Sequence, residues 1–142
     1  MSFKVAVVGC GRMGKLHARV ISEMPAAELA CVVDAKPAAA EAVATQRGCP
    51  ALTDPAEAVK LADAAIIAVP TVHHLAAARP FVEAGKSVLI EKPYTNDVAG
   101  GQELIALAAR TGADVQVGHT ERFNPAVMAM KKDRKSTRLN SS

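Results

Sequence analysis

Short apolar runs rich in β-branched residues recur along this chain, each separated from the next by a stretch of helical character. The runs are Phe3–Val8, Leu29–Val33, Ala64–Val69, Ser87–Ile90 and Val115–Val117, with a weaker sixth at Ala51–Thr53. None is long enough for a buried helix, so each reads as a strand covered on both faces. Leu16, Val20 and Met24 recur at four-residue spacing after the first run, and Pro25 closes that segment. Residues 38–47 stop at Gly48, 74–84 at Gly85 and 97–111 at Gly112, where a terminal glycine can take positive φ. Asn96 is expected to cap the last of these helices, and Pro80 to kink or restart the helix that contains it. Strand and helix in alternation predict a doubly wound α/β fold, with a parallel sheet, right-handed crossovers and helices on both faces.

The composition suits an aliphatic interior of that kind. Hydrophobic residues make up 50% of the chain but aromatic ones only 3%, with no Trp. Of the 17 Lys/Arg and 14 Asp/Glu, three and one fall in residues 133–142, so residues 1–132 carry a net charge of only +1. A field that weak points away from nucleic acid and membrane surfaces as partners. Cys10, Cys31 and Cys49 are odd in number and lack metal-type spacing, which favours a reducing compartment over a disulfide scaffold. His73 and His74 are adjacent and would point about 100° apart on a helix, so no metal site is expected. The start MSFKVAVVG lacks a signal-peptide core, and no apolar run nears membrane-spanning length. A soluble, cytoplasmic protein is the expectation.

The stretch VAVVGCGRMGKLH places Gly9, Gly11 and Gly14 directly after the first strand and at the mouth of the first helix. In that context G-x-G-x-x-G reads as a dinucleotide-binding turn. Gly9 permits the tight turn, Gly11 lets backbone approach a pyrophosphate, and Gly14 lets helix and strand pack closely. Cys10, Arg12 and Met13 complete the loop, with amides and helix dipole facing the anion. Cys10 reads either as a small filler or as a thiolate held by the helix start. Asp34, twenty residues after Gly14, can accept from both adenosine ribose hydroxyls and would repel a 2′-phosphate, which favours NAD. Lys36 lies close enough to leave NADP open, and capping of the next turn is the plainer role for Asp34.

Ligands of open parallel sheets gather beyond the carboxyl ends of the strands. There the later strands run into PTVHH, EKP and GHTERFNP. Taken together and in order, GCGRMGKLHA, VPTVHHLAAA, EAGKSVLIEKP and VGHTERFNPA resemble the signature blocks of the glucose–fructose oxidoreductase / inositol dehydrogenase / MocA family. The last block most resembles the branch acting on UDP-sugars. The resemblance covers residues 3–130 and implies a Rossmann domain that binds NAD, in an oligomeric enzyme moving a hydride between nicotinamide and a sugar or nucleotide-sugar hydroxyl. Inositol or another polyol is the alternative substrate. In this pattern Glu91, Lys92 and Pro93 match the family triplet, with Lys92 as the catalytic residue and the Lys92–Pro93 bond expected to be cis. Pro70 and Thr71 match the loop beside the ribose groups, although Thr71 stands where Asn is common. His74 matches the family's histidine four residues after the proline. Arg122 and Asn124 match the stretch near the nicotinamide. His17 is expected to pack, while His119 is left open between a substrate contact and a structural role. A non-catalytic NAD-binding sensor is the reading of a different class, since it would need the glycine turn and Asp34 but not Lys92.

Family members continue into a second α/β domain that carries most of the sugar pocket and the histidine assigned as general base. The expectation is therefore a dinucleotide-binding domain over residues 1–132 with the substrate domain missing. Residues 133–142, DRKSTRLNSS, break sharply from the preceding composition. They match an in-frame translation of a sequencing-library adapter, and are expected to be non-native and without function.

Overall fold

A computed structural model describes residues 2–140, so Ser141 and Ser142 of the 133–142 segment lie outside the described residues. The chain runs β1 (Phe3–Val8), α1 (Arg12–Glu23), β2 (Ala27–Val33), α2 (Pro37–Arg47), β3 (Ala51–Leu52), α3 (Pro55–Ala58) and β4 (Ala64–Ile67). A 3-10 turn at Thr71–His73 leads into α4 (His74–Glu83), β5 (Ser87–Ile90), α5 (Val98–Thr111) and β6 (Val115–Val117). A second 3-10 turn at Thr120–Phe123 precedes α6 (Pro125–Asn140). All strands pair in parallel in the order β3-β2-β1-β4-β5-β6. This is the doubly wound Rossmann order, and the direction of winding reverses between β1 and β4.

Alternation along the strands divides the interior into two layers. Val5, Val7, Leu29 and Val32 pack with Ala18, Ile21, Ala40 and Val43 under α1 and α2. Ala6, Val8, Val33, Ile67 and Ile90 pack with Ala78, Phe81, Val82 and Leu104 under α4 and α5. Phe81 is 0% exposed and is the largest side chain buried in that second layer. Burying one such side chain stabilises by about 2 kcal/mol, so a mostly aliphatic core must rely on many of them.

Several boundaries and one helix face differ from the sequence-based expectation. β2 begins at Ala27 rather than Leu29, and β4 stops at Ile67, which frees Ala68 and Val69 for the loop beyond it. Asp97, not Asn96, caps α5, and its side chain accepts from the Gly100 N–H at 2.7 Å. Pro80 neither breaks nor restarts α4, because it sits in the last turn and the following Phe81 and Val82 are fully buried anchors. On α1 the buried residues are Gly14, Ala18 and Ile21, while Leu16, Val20 and Met24 are 42%, 43% and 44% exposed. Small residues face the sheet there because the helix approaches it closely, and the bulkier apolar stripe turns outward. The positive-φ glycines at 48, 85 and 112 stand where helix ends were expected. α6 passes the compositional change at residue 133 without a break, there being no Gly or Pro after Pro125 to stop it.

Candidate cofactor and active site

β1 ends in a turn that only glycine can make. Gly9 has φ of +104°, and a Cβ on it would lie 2.4 Å from the carbonyl oxygen of Ala68 at the end of β4. Its N–H donates to Val33 O at 2.7 Å, tying the turn to β2. A Cβ on Gly14 would lie 1.7 Å from the Gly9 carbonyl oxygen, so the absence of a side chain there sets how closely α1 packs on the turn. Gly11 is different, for a Cβ on it would meet nothing within 4 Å. It is the N-cap of α1 with no side-chain cap, and the first turn holds no acidic residue. The amides of Arg12, Met13 and Gly14 are therefore presented at an open helix start, which suits an anion.

Asp34, just past β2, is held against this turn. Its Oδ2 accepts from the Cys10 N–H and its Oδ1 from the Lys36 N–H, both at 2.9 Å. Turn-capping and ligand-binding are thus compatible roles, because each carboxylate oxygen keeps a second lone pair for a hydroxyl. Cys10 is 3% exposed and its Sγ–H points to Val33 O at 3.7 Å. Burial, helped by the nearby Asp34 carboxylate, pushes the thiol up to about 11. Cys10 is thus a buried, protonated thiol at the cleft, which fits the small filler rather than a held thiolate.

Between these groups lies a cleft of about 650 Å³, a volume in the range of small-molecule sites. Gly9, Cys10, Gly11 and Asp34 form one side, while Ala68, Val69, Pro70 and His73 form the other. Further walls come from Ala39, Thr53, Pro55, Ala76 and Ala77, a largely apolar lining that can take a flat base. His73, not His74, borders the cleft. His74 is 1% exposed, with Nδ1 3.0 Å from Tyr94 O and Nε2 2.9 Å from Val69 O. Both nitrogens are thereby directed at protein carbonyls rather than at a ligand, which corrects the contact expected of His74. Thr71 opens the intervening 3-10 turn, its carbonyl accepting from the His74 N–H.

At the end of β5, Glu91 is buried and its Oε1 lies 2.6 Å from His17 Nε2 on α1. Its carboxylate thus meets α1. Lys92 and Pro93 are exposed, and the peptide bond between them is cis, as expected. Among the described residues the Lys92 ammonium has no ion-pair partner. Beyond β6, Arg122 is exposed on the second 3-10 turn, and Asn124 Oδ1 accepts from the Ala126 N–H at the start of α6. Because β4, β5 and β6 are neighbours, Pro70, Lys92 and Arg122 follow adjacent carboxyl ends along one edge of the sheet. Among the described residues no group of three or more His, Cys, Asp or Glu is gathered to hold a metal, and no helix is long and apolar enough to cross a membrane.

Residues 3–119 match the model of the oxidoreductase family with an NAD-binding Rossmann fold. The chain belongs to this family. It is 38% identical over 133 residues to an inositol 2-dehydrogenase of Rhizobium meliloti, covering 93% of this chain and 40% of that protein. The structure of UDP-N-acetylglucosamine 3-dehydrogenase GnnA from Acidithiobacillus ferrooxidans superposes with a TM-score of 0.86 at 30% identity, over 94% of this chain and 44% of that one. WlbA dehydrogenase from Bordetella pertussis, solved with NADH and UDP-GlcNAcA, gives a TM-score of 0.90 at 26% identity, over 96% and 42%. The chain thus spans about 40% of the length of the curated relatives it matches.

An NAD-binding domain of the oxidoreductase family needs an open helix start, a ribose acceptor and a flat apolar slot, and all three are present. The space above Gly11 and the bare amides after it fit a diphosphate, and Asp34 fits a ribose diol. Sequence reasoning passed over two residues here. His73 was visible only as the neighbour of a more recognisable histidine, and its cleft-facing position follows from the 3-10 turn that precedes α4. His17, expected to pack, does so by pairing with a carboxylate 74 positions away, which no local pattern announces.

Proposed function

We propose that this chain is the cofactor-binding portion of an NAD-dependent dehydrogenase acting on a ring hydroxyl of a sugar or nucleotide sugar. The observation that carries the reading is Lys92, an exposed ammonium at the carboxyl end of β5, beside strands whose ends bear the dinucleotide cleft. Held by the glycine turn and Asp34, NAD would supply the acceptor for the hydride of the carbinol carbon. Lys92 donates a hydrogen bond to the substrate oxygen and stabilises the negative charge that grows on it. His17 and His74 are both engaged with protein partners, so neither is assigned the proton of the hydroxyl. Asp34 selects NAD over NADP by accepting from the ribose diol and repelling a 2′-phosphate. The 38% identity to an inositol 2-dehydrogenase favours a second reading, in which the ring is a polyol such as inositol. Both readings share one chemistry, oxidation of a secondary ring hydroxyl. The three free cysteines fit a reducing compartment, and we place the reaction in the cytoplasm.

Calorimetry on this chain should show NAD binding tighter than NADP by roughly tenfold or more, a preference that Asp34→Ala removes. In a full-length protein carrying this domain, Lys92→Met should lower kcat by roughly 10²-fold or more with little change in NAD affinity. Turnover that survived the loss of Lys92 would remove the role given to it, whereas NAD binding with no turnover of any ring hydroxyl in the unmodified full-length protein would leave the sensor reading.

A further inference from the structure

The side chain of Lys92 is exposed, yet the backbone on both sides of it is anchored. Before it, the Glu91 N–H donates to Ile67 O at 2.9 Å, and Glu91 Oε1 lies 2.6 Å from His17 Nε2, with the two side chains only 12% and 18% exposed. Gly118 closes in from the far side, where a Cβ would sit 3.5 Å from Glu91 Oε1. After Lys92, the carbonyl of Tyr94 is 3.0 Å from Nδ1 of the buried His74, whose Nε2 faces Val69 O at 2.9 Å. The two histidines sit on different helices, and each helix rises from one of the loops that border the cleft. His17 belongs to α1, which starts at the glycine turn, and His74 to α4, which follows Val69 and Pro70.

We propose that His17 and His74 are positioning residues that hold Lys92 from both sides and tie its placement to the two loops of the cofactor cleft. This rests on the reading of Lys92 as the group that meets substrate. A lysine on an unanchored loop would sample many directions, whereas one fixed at residues 91 and 94 presents its ammonium from a constant origin. Movement of the glycine turn or of the Pro70 loop then reaches Lys92 through an imidazole in each case.

Nuclear magnetic resonance on the 142-residue chain tests this without cofactor or substrate. In the unmodified chain, backbone order parameters at Lys92 and Tyr94 should be near those of rigid elements, about 0.8 or above. The ring N–H of His74 should exchange at least tenfold more slowly than those of the exposed His73 and His119. His17→Leu should drop Lys92 to about 0.6 or below while Val7 and Val32 in the central strands are unchanged. His17→Gln, which keeps a donor for Glu91, should restore it. Fast exchange of the His74 ring N–H, an unchanged Lys92 in His17→Leu, a loss spread equally to Val7 and Val32, or no rescue by glutamine would each overturn the proposal. Because His74 is read in the unmodified chain, a variant that failed to fold would not decide the matter. Turnover persisting in Lys92→Met would sink the role given to Lys92 and leave these order parameters where they are.

Discussion

Gly11 and Gly14, three residues apart, do opposite work in the same turn. Gly14 is filled from outside, since any side chain there would overlap the Gly9 carbonyl, whereas Gly11 is empty on its open side. Alanine therefore separates folding from binding at this site. Gly14→Ala must push α1 off the turn and should cost about 3 kcal/mol of stability or prevent folding. Gly11→Ala should leave the thermal midpoint within a few degrees but weaken NAD binding roughly tenfold or more, because its methyl group occupies the approach to the bare amides. Calorimetry of unfolding and of NAD titration on the two variants checks the pair. Equal effects of both substitutions on stability would contradict the division of labour.

At the scale of elements, what is legible in the sequence is what repeats locally. The central strands announce themselves because their carboxyl halves are buried on both faces and run on in Val, Ile and Ala, and the helix ends at Gly48, Gly85 and Gly112 show because positive φ selects glycine. The face of α1 is not legible in this way, because its contact surface is made of Gly14, Ala18 and Ile21 and the larger residues point outward. Size is a poor guide where a helix must come close to a sheet. Likewise Asp34, Gly9 and Gly11 follow from strand ends and spacing, and Lys92 from the resemblance of EKP to the family triplet, but the His17–Glu91 pair depends on α1 crossing near β5, which is a tertiary fact. The helix face has a direct check in urea unfolding. Ile21→Ala should cost about 3 kcal/mol, and Val20→Gln, on the exposed stripe, less than about 0.5. The reverse ranking would mean that α1 is rotated from the orientation described. A non-native origin for residues 133–142, through which the helix continues to Asn140, makes a prediction of its own. α6 packs chiefly on the 3-10 turn before it, so deleting residues 133–142 should leave the unfolding midpoint and NAD affinity unchanged. Loss of either would make the segment part of the working protein.

For the molecule as a whole, the two layers flanking the sheet each bury a thiol, and that ties its stability to alkaline pH. Cys10 lies in the layer under α1 and α2, and Cys31 in the layer under α4 and α5. Burial, the first cause for both, pushes each thiol from 9.0 up to about 11, with the Asp34 carboxylate adding to the effect at Cys10. Below about pH 9 both states keep the thiols protonated, and the contribution is complete. Between about 9 and 11 the unfolded chain releases these protons while the folded chain retains them. The unfolded state then binds fewer protons, so stability falls as pH rises through that window. Two thiols of this kind set a loss of roughly 3 kcal/mol each as an upper scale. Urea midpoints measured at about pH 8 and about pH 10.5 should therefore differ, and a Cys10→Ala/Cys31→Ala double variant should lose much of that difference. If the variant fell as steeply as the parent chain, the alkaline loss would belong to other groups, and the thiols could not be as sheltered as their two layers make them.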